Sequence, residues 1–181
     1  ESVGIDAESL VIDDKVHTTL AFVHTYPDGD RDFSFYRNPG ADMMLRKEEV
    51  SLDKICASKI FHFGTLSFTH AGIRTASQYA IQCAKEAGAL ISFDPNLREP
   101  LWENLEDARK AIEYGMECCD ILKISDNELT FMTGEKDYDK GAVLLQQKYQ
   151  IPLVCVTLGK DGSRAYYKGL TIKSESFLQK N

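Results

Sequence analysis

The stretch Ile121-Leu122-Lys123-Ile124-Ser125-Asp126-Asn127-Glu128 passes from a short apolar run to a polar corner. The run is too short for a helix, and its branched side chains suit a strand. Outward from it, residues 60–64, 89–94 and 153–159 repeat the texture, each run closing on polar or glycine residues. The strand ends fall at Gly64, Asp94, Ser125 and Thr157, at intervals of 30, 31 and 32 residues. A strand, a crossover helix and a return to a parallel neighbour need about 30 residues, so the spacing predicts successive βαβ units. The segments between agree. Residues 73–87 carry Ile73, Ala76, Ala80, Ala84 and Ala87 at helical spacing, with Gly88 as a stop. Residues 105–116 place Leu105, Ala108, Ile112 and Met116 on one face, and residues 139–149 do the same with Val143, Leu144 and Gln147 before Pro152. The unbroken run Leu153-Val154-Cys155-Val156 predicts a strand covered on both faces. The expected fold is α/β, a central mostly parallel sheet flanked by helices on its faces.

Upstream the texture differs. Residues 16–23 and 33–37 are β-like runs rich in Thr, Val and Phe, separated by the turn cluster Tyr26-Pro27-Asp28-Gly29-Asp30. They predict an antiparallel hairpin, closed by a second break at Asn38-Pro39-Gly40. The expected division is therefore a β element over residues 11–40 beside an α/β core over 41–181.

With 43% hydrophobic and 27% charged residues, the chain of 181 is ordinary globular material. Its 21 basic against 28 acidic residues give a formal net charge of −7, which disfavours nucleic acid and anionic membranes as partners. Residues 1–10 lack the pattern of a signal peptide, and no apolar run approaches a membrane span, so a cytoplasmic protein is expected. Five cysteines without CxxC spacing read as reduced thiols packed as small hydrophobes. The four histidines form no ligand grouping, so a metal held by protein ligands alone is not expected.

In open α/β sheets, ligands bind beyond the carboxyl ends of the strands. Four polar endings should share that rim: Gly64-Thr65-Leu66-Ser67, Asp94-Pro95-Asn96-Leu97-Arg98, Ser125-Asp126-Asn127-Glu128 and Thr157-Leu158-Gly159-Lys160-Asp161-Gly162. Gly159 and Gly162 let a backbone approach phosphate, or merely turn the chain into a strand over residues 163–168. Ser125-x-x-Glu128 has the form of a capping box, and a carboxylate at that corner could also hold the water shell of Mg²⁺. Arg98, just past a strand, is placed to fork onto an anion or to pair with Glu99 or Glu103. Arg37, ending the hairpin, could reach the same ligand if the β element folds over the rim. Trp102 reads as packing.

Several stretches together resemble the ribokinase-like (PfkB-type) carbohydrate kinases, especially their fructokinase and 2-keto-3-deoxygluconate kinase branch. They are Asp32-Phe33-Ser34-Phe35-Tyr36-Arg37 with Pro39-Gly40-Ala41-Asp42, Phe93-Asp94-Pro95-Asn96-Leu97-Arg98 with Leu101-Trp102, Lys123 to Leu129, and residues 156–163. The resemblance implies phosphoryl transfer from ATP to a sugar hydroxyl with Mg²⁺. It implies that the hairpin is a β-clasp lid, and that Arg37 and Arg98 contact the sugar or its anionic neighbourhood. Ser125, Thr157, Gly159 and Gly162 would serve the nucleotide, Ser125 standing where many relatives carry Asn. Glu128 would act on Mg²⁺ indirectly, through water. No Gly-x-Gly-Asp occurs among the twelve glycines, so the family's catalytic Asp is expected outside this chain, as is its N-terminal sugar-binding segment. The chain then reads as an internal piece, inactive alone, of a kinase that dimerises through its lid strands. A non-catalytic sugar- or nucleotide-binding protein of the same fold, or a nucleoside or 2-keto-3-deoxygluconate kinase, is the alternative.

Overall fold

The computed structural model describes residues 2–27 and 31–177. Four parallel strands form the centre: β3 (Ile60–Gly64), β4 (Leu90–Asp94), β5 (Ile121–Ser125) and β6 (Leu153–Thr157). Two antiparallel strands, β7 (Ser163–Tyr167) and β8 (Leu170–Ser174), extend the sheet beyond β6, giving the order β3-β4-β5-β6-β7-β8. A separate two-stranded sheet pairs β1 (Leu20–Thr25) with β2 (Arg31–Tyr36). Most of its connecting turn, Asp28-Gly29-Asp30, lies outside the described residues.

The helices are α1 (Leu52–Cys56), α2 (Ala71–Glu86), α3 (Leu105–Cys118), α4 (Asp126–Thr133) and α5 (Tyr138–Tyr149). Each of the last four starts on a side-chain cap that satisfies an otherwise orphaned N–H. His70 Nδ1 accepts from Gly72 N at 3.3 Å, and Asn104 Oδ1 from Asp107 N at 2.9 Å. Ser125 Oγ accepts from Glu128 N at 3.3 Å, and Asp137 Oδ1 from Asp139 N at 3.0 Å.

The helices do not cover both sheet faces as the apolar run at β6 suggested. Ile91, Phe93, Leu122, Ile124, Val154 and Val156 are all 0% exposed and form a single core with the helices. Their neighbours in sequence, on the opposite face, are half-buried or open. Leu90, Leu170 and Ile172 are 49%, 66% and 66% exposed. Strand order supplies the reason. From β3 to β6 every crossover steps in the same direction, and right-handed crossovers stepping one way place every helix on one side. An apolar pair such as Leu153 and Cys155 therefore marks a face that these residues leave without a second layer.

Other boundaries moved for local reasons. The first lid strand starts at Leu20, not residue 16, because His17 O accepts from Ala41 N at 2.8 Å and Thr19 Oγ1 donates to Asp42. Strand β8 lies beyond the last strand that the sequence predicts. Gly162 admits it: φ there is +87°, and a Cβ would collide with the Ser174 carbonyl. All five cysteines are free, but only Cys119 is fully buried and Cys56 is exposed, so they are not uniformly core residues.

The lid sheet has two unlike faces. Phe33 and Phe35 point inward and are half-buried. Leu20, Phe22 and Tyr36 share the outer face and are 51%, 61% and 57% exposed.

Candidate functional site

The segment running from Arg98 to Leu101 divides two cavities. The first, about 250 Å³, lies under the lid between Phe35, Arg37 and Asn38 on one side and Thr69, Pro100 and Leu101 on the other, with Met43 completing it. The second, about 360 Å³, sits at the carboxyl ends of β4 and β5 and is lined chiefly by polar groups, among them Asn96, Arg98, Lys123, Ser125 and Asn127.

Glu128 organises the second cavity. It is only 8% exposed, and both carboxylate oxygens are committed. Oε1 accepts from Leu97 N at 2.7 Å; Oε2 accepts from Ser125 N at 2.9 Å and from Ser125 Oγ at 2.7 Å. The capping box read from sequence is thus present, and it does more than cap: it ties the loop after β4 to the start of α4. The buried carboxylate is tolerable because three donors satisfy it.

Lys123 Nζ pairs with Asp94 Oδ2 at 2.9 Å across adjacent strands, on the sheet face without helices. Asp94 also turns the chain, its Oδ1 accepting from Asn96 N at 3.2 Å, with Asn96 at φ +45°. The sequence alone assigns Lys123 and Asn127 no role. The available signal was a lone lysine in an otherwise apolar strand, two residues before the corner.

The two arginines separate. Arg37 has a side chain only 6% exposed. Its Nε and Nη2 donate to Asp42 Oδ2 at 2.8 and 2.6 Å, Nη1 to Thr69 Oγ1 at 2.7 Å, and Nη2 also to Leu66 O at 3.1 Å. This clamp joins the root of the lid to the core. Asp42 feels burial, which raises its pKa, but the bonds from Arg37 and Thr19 outweigh it and leave the carboxyl below its ordinary range. Among the described residues Arg98 instead makes one hydrogen bond, from Nη1 to Leu97 O at 3.1 Å, and its guanidinium lies 5.3 Å from the centre of the Phe33 ring. Neither Glu99 nor Glu103 pairs with it among the described residues.

Thr157 is the register partner of Ser125, so the β6 ending adjoins the polar cavity through the sheet. Gly159, at φ +56° with open space where a Cβ would stand, and Gly162 follow in the next turn and line neither cavity. The β3 ending serves as support: Thr65, 0% exposed, donates its N–H to Pro95 O at 3.2 Å.

For a magnesium ion these residues fit one arrangement. Three donors take up most of the acceptor sites of Glu128, Asp94 is paired, and no group of three or more His, Cys, Asp or Glu gathers among the described residues. What remains compatible is a cation carried by phosphate oxygens and water, with Glu128 acting at one remove.

The chain is 44% identical over 173 residues to the probable fructokinase-2 of Arabidopsis thaliana, a match covering 96% of this chain and 53% of that protein. A PfkB protein from Polaromonas sp. JS666 superposes with a TM-score of 0.86 at 25% identity, covering 98% of this chain and 60% of that one. Fructokinase from Vibrio cholerae O395, in its fructose-, ADP- and calcium-bound form, superposes at 0.83 with 27% identity, covering 97% and 56%. The chain spans about half the length of the curated relatives it matches. The fold is thus shared over almost all of the chain's length. The sequence profile of the pfkB carbohydrate kinases matches residues 1–181, and the chain belongs to that family.

Proposed function

We propose that the whole protein is an ATP- and Mg²⁺-dependent sugar kinase of fructokinase type, of which these residues form the lid and the helix-backed part of the sheet. The observation that carries this reading is the pair of adjoining cavities divided by one loop, one roofed by the lid and one polar, with Arg98 and Lys123 on its wall. Phosphoryl transfer needs an acceptor hydroxyl and a phosphate chain held side by side, and positioning with charge neutralisation does most of the work. The relatives support it: the Vibrio cholerae neighbour is a fructokinase with fructose and ADP bound.

In this reading the sugar occupies the lid cavity beside Arg37, with Arg98 between it and the polar cavity, and ATP phosphates approach Ser125, Thr157, Gly159 and Gly162. Glu128 would orient water around the Mg²⁺ that accompanies ATP, an ion that would supply charge neutralisation at the phosphates. The sugar oxygen forms the new bond to the γ-phosphorus as the bond to the bridging oxygen of ADP breaks. The hydroxyl proton passes to an aspartate on polypeptide beyond these residues. That polypeptide would also cover the bare sheet face. The outer lid face, with Leu20, Phe22 and Tyr36 exposed, suits a homodimer contact. No helix of the described residues is long and apolar enough to cross a membrane; we place the enzyme in the cytoplasm.

The test is a coupled assay of the full-length protein on fructose, 2-keto-3-deoxygluconate and purine nucleosides. Phosphorylation of fructose with ATP and Mg²⁺ is expected, and none by the 181-residue chain alone. Binding of sugar or nucleotide without turnover by the full-length protein would favour a non-catalytic binder. Light scattering of that protein should give a dimer that Phe22→Lys disrupts.

A further inference from the structure

Arg98 stands where the polar cavity, the dividing loop and the lid meet. Its side chain lines the polar cavity with Lys123 and Ser125, while its guanidinium faces Phe33 on the inner side of the lid at 5.3 Å. One of its donors is used, on the carbonyl of the preceding residue. The ion pairs among the described residues leave it without a carboxylate partner, whereas Arg37 spends its donors on Asp42, Thr69 and Leu66. One arginine is therefore a fixed anchor at the lid root. The other touches the lid at Phe33 on β2, four residues before Arg37 and so roughly 13 Å from that anchor at strand rise, where a small rotation of the lid moves more.

We propose that Arg98 is a positioning residue that couples anion binding in the polar cavity to the seating of the lid. The geometry of the guanidinium makes both contacts compatible. Its five N–H donors lie in its plane, so an anion is forked at the edge, while an aromatic ring is met by the flat face. An anion at the edge fixes the plane and removes water from it. A cation–π contact strengthens when its cation is desolvated, so Phe33 then meets a rigid, drier platform. Coupling is reciprocal: if the anion steadies the lid, the seated lid tightens the anion. A lysine could satisfy either contact but not both, because its ammonium is a point charge without a face. This inference rests on the phosphate-binding reading of the cavity. It adds a physical link by which the compartment for one substrate reports its occupancy to the roof over the other.

The test uses the full-length protein with inorganic phosphate as the probe, affinity read by calorimetry and lid motion by amide hydrogen exchange in β2. Phosphate should slow exchange at the lid amides of the wild type about two- to fivefold, the size expected of one cation–π contact. Phe33→Leu should still bind phosphate, weakened by a similar factor, but lose the slowing. Arg98→Lys should also lose the slowing while keeping measurable affinity. The proposal is overturned if phosphate leaves lid exchange unchanged in the wild type, through failure to bind or otherwise. It is equally overturned if Phe33→Leu retains full slowing. Failure of the kinase reading is distinguishable, since sugars would then go unphosphorylated while phosphate still slowed the lid.

Discussion

The two faces of the six-stranded sheet share one backbone and differ in almost everything else. On one face Phe93 is 0% exposed, its ring 4.7 Å from that of Phe63 and seated over Gly115, where any Cβ would run into it. On the other, Leu170 and Ile172 are both 66% exposed. Parallel strands are stable with both faces covered, so the lesson is that this chain completes one layer of a core and presents the start of another. Truncating Phe93 should give the largest effect of any change on the covered face. Phe93→Ala removes a buried ring at the junction of β4 and α3 and is expected to cost about 3–5 kcal/mol, read by denaturant unfolding. A loss below about 1 kcal/mol would mean that the helix layer is not the stabilising one.

The rim where the two faces meet offers the next test. Glu128→Ala would strand Leu97 N, Ser125 N and Ser125 Oγ together. The expected loss is about 1–3 kcal/mol, the cost of leaving buried donors unmet. Ser125→Ala should cost less, about 1 kcal/mol, because it removes only the cap hydroxyl. The reverse ranking would show that the carboxylate is held for ligand chemistry at the expense of the fold.

Cysteines report the comparison without perturbing it. Burial pushes the Cys119 thiol, on the covered side, up to about 12, so at pH 8 only about one molecule in ten thousand carries the thiolate there. Cys155 faces the bare side, its pKa also raised by burial but its side chain still partly open. Thiol reagents should modify Cys155 in the folded 181-residue chain and reach Cys119 only on unfolding. In the full-length protein Cys155 should become at least about tenfold slower, as protected as a covered core thiol. Equal rates in the two lengths would mean that nothing packs on that face.

The strand–helix alternation was legible because backbone periodicity and helix stops are local: Gly88, Pro152 and the residue spacing of the strand ends sufficed. The rim was legible for the same reason, since each apolar run ends on residues that turn the chain. Sidedness was not. Whether Leu153 and Cys155 meet a helix depends on the direction in which successive crossovers step, and that is settled by strand order, not by any window of sequence. The arginines show the same limit at the site. Arg37 and Arg98 look alike as arginines following β-like runs, yet Asp42 and Thr69 occupy one and leave the other available. Helix α4 was hidden by its length of eight residues, although its capping box was visible.

The smallest expected effect is the most informative one. Ile172→Thr keeps a β-branched side chain on β8, so strand propensity hardly changes, and it exchanges a methyl-bearing arm for a hydroxyl at a position 66% exposed. In this chain the hydroxyl stays in water, and the cost should lie within about 0.5 kcal/mol, the range of ordinary surface changes. In the full-length protein a second layer over β8 would take the same hydroxyl out of water, and burying a polar group left unmatched costs about 1–3 kcal/mol. The substitution is therefore silent or costly according to what lies above β8, while the strand beneath it is unchanged. A cost that stayed within about 0.5 kcal/mol at both lengths would place β8 at an open edge in the whole protein, and the second layer would have to begin nearer β5 and β6.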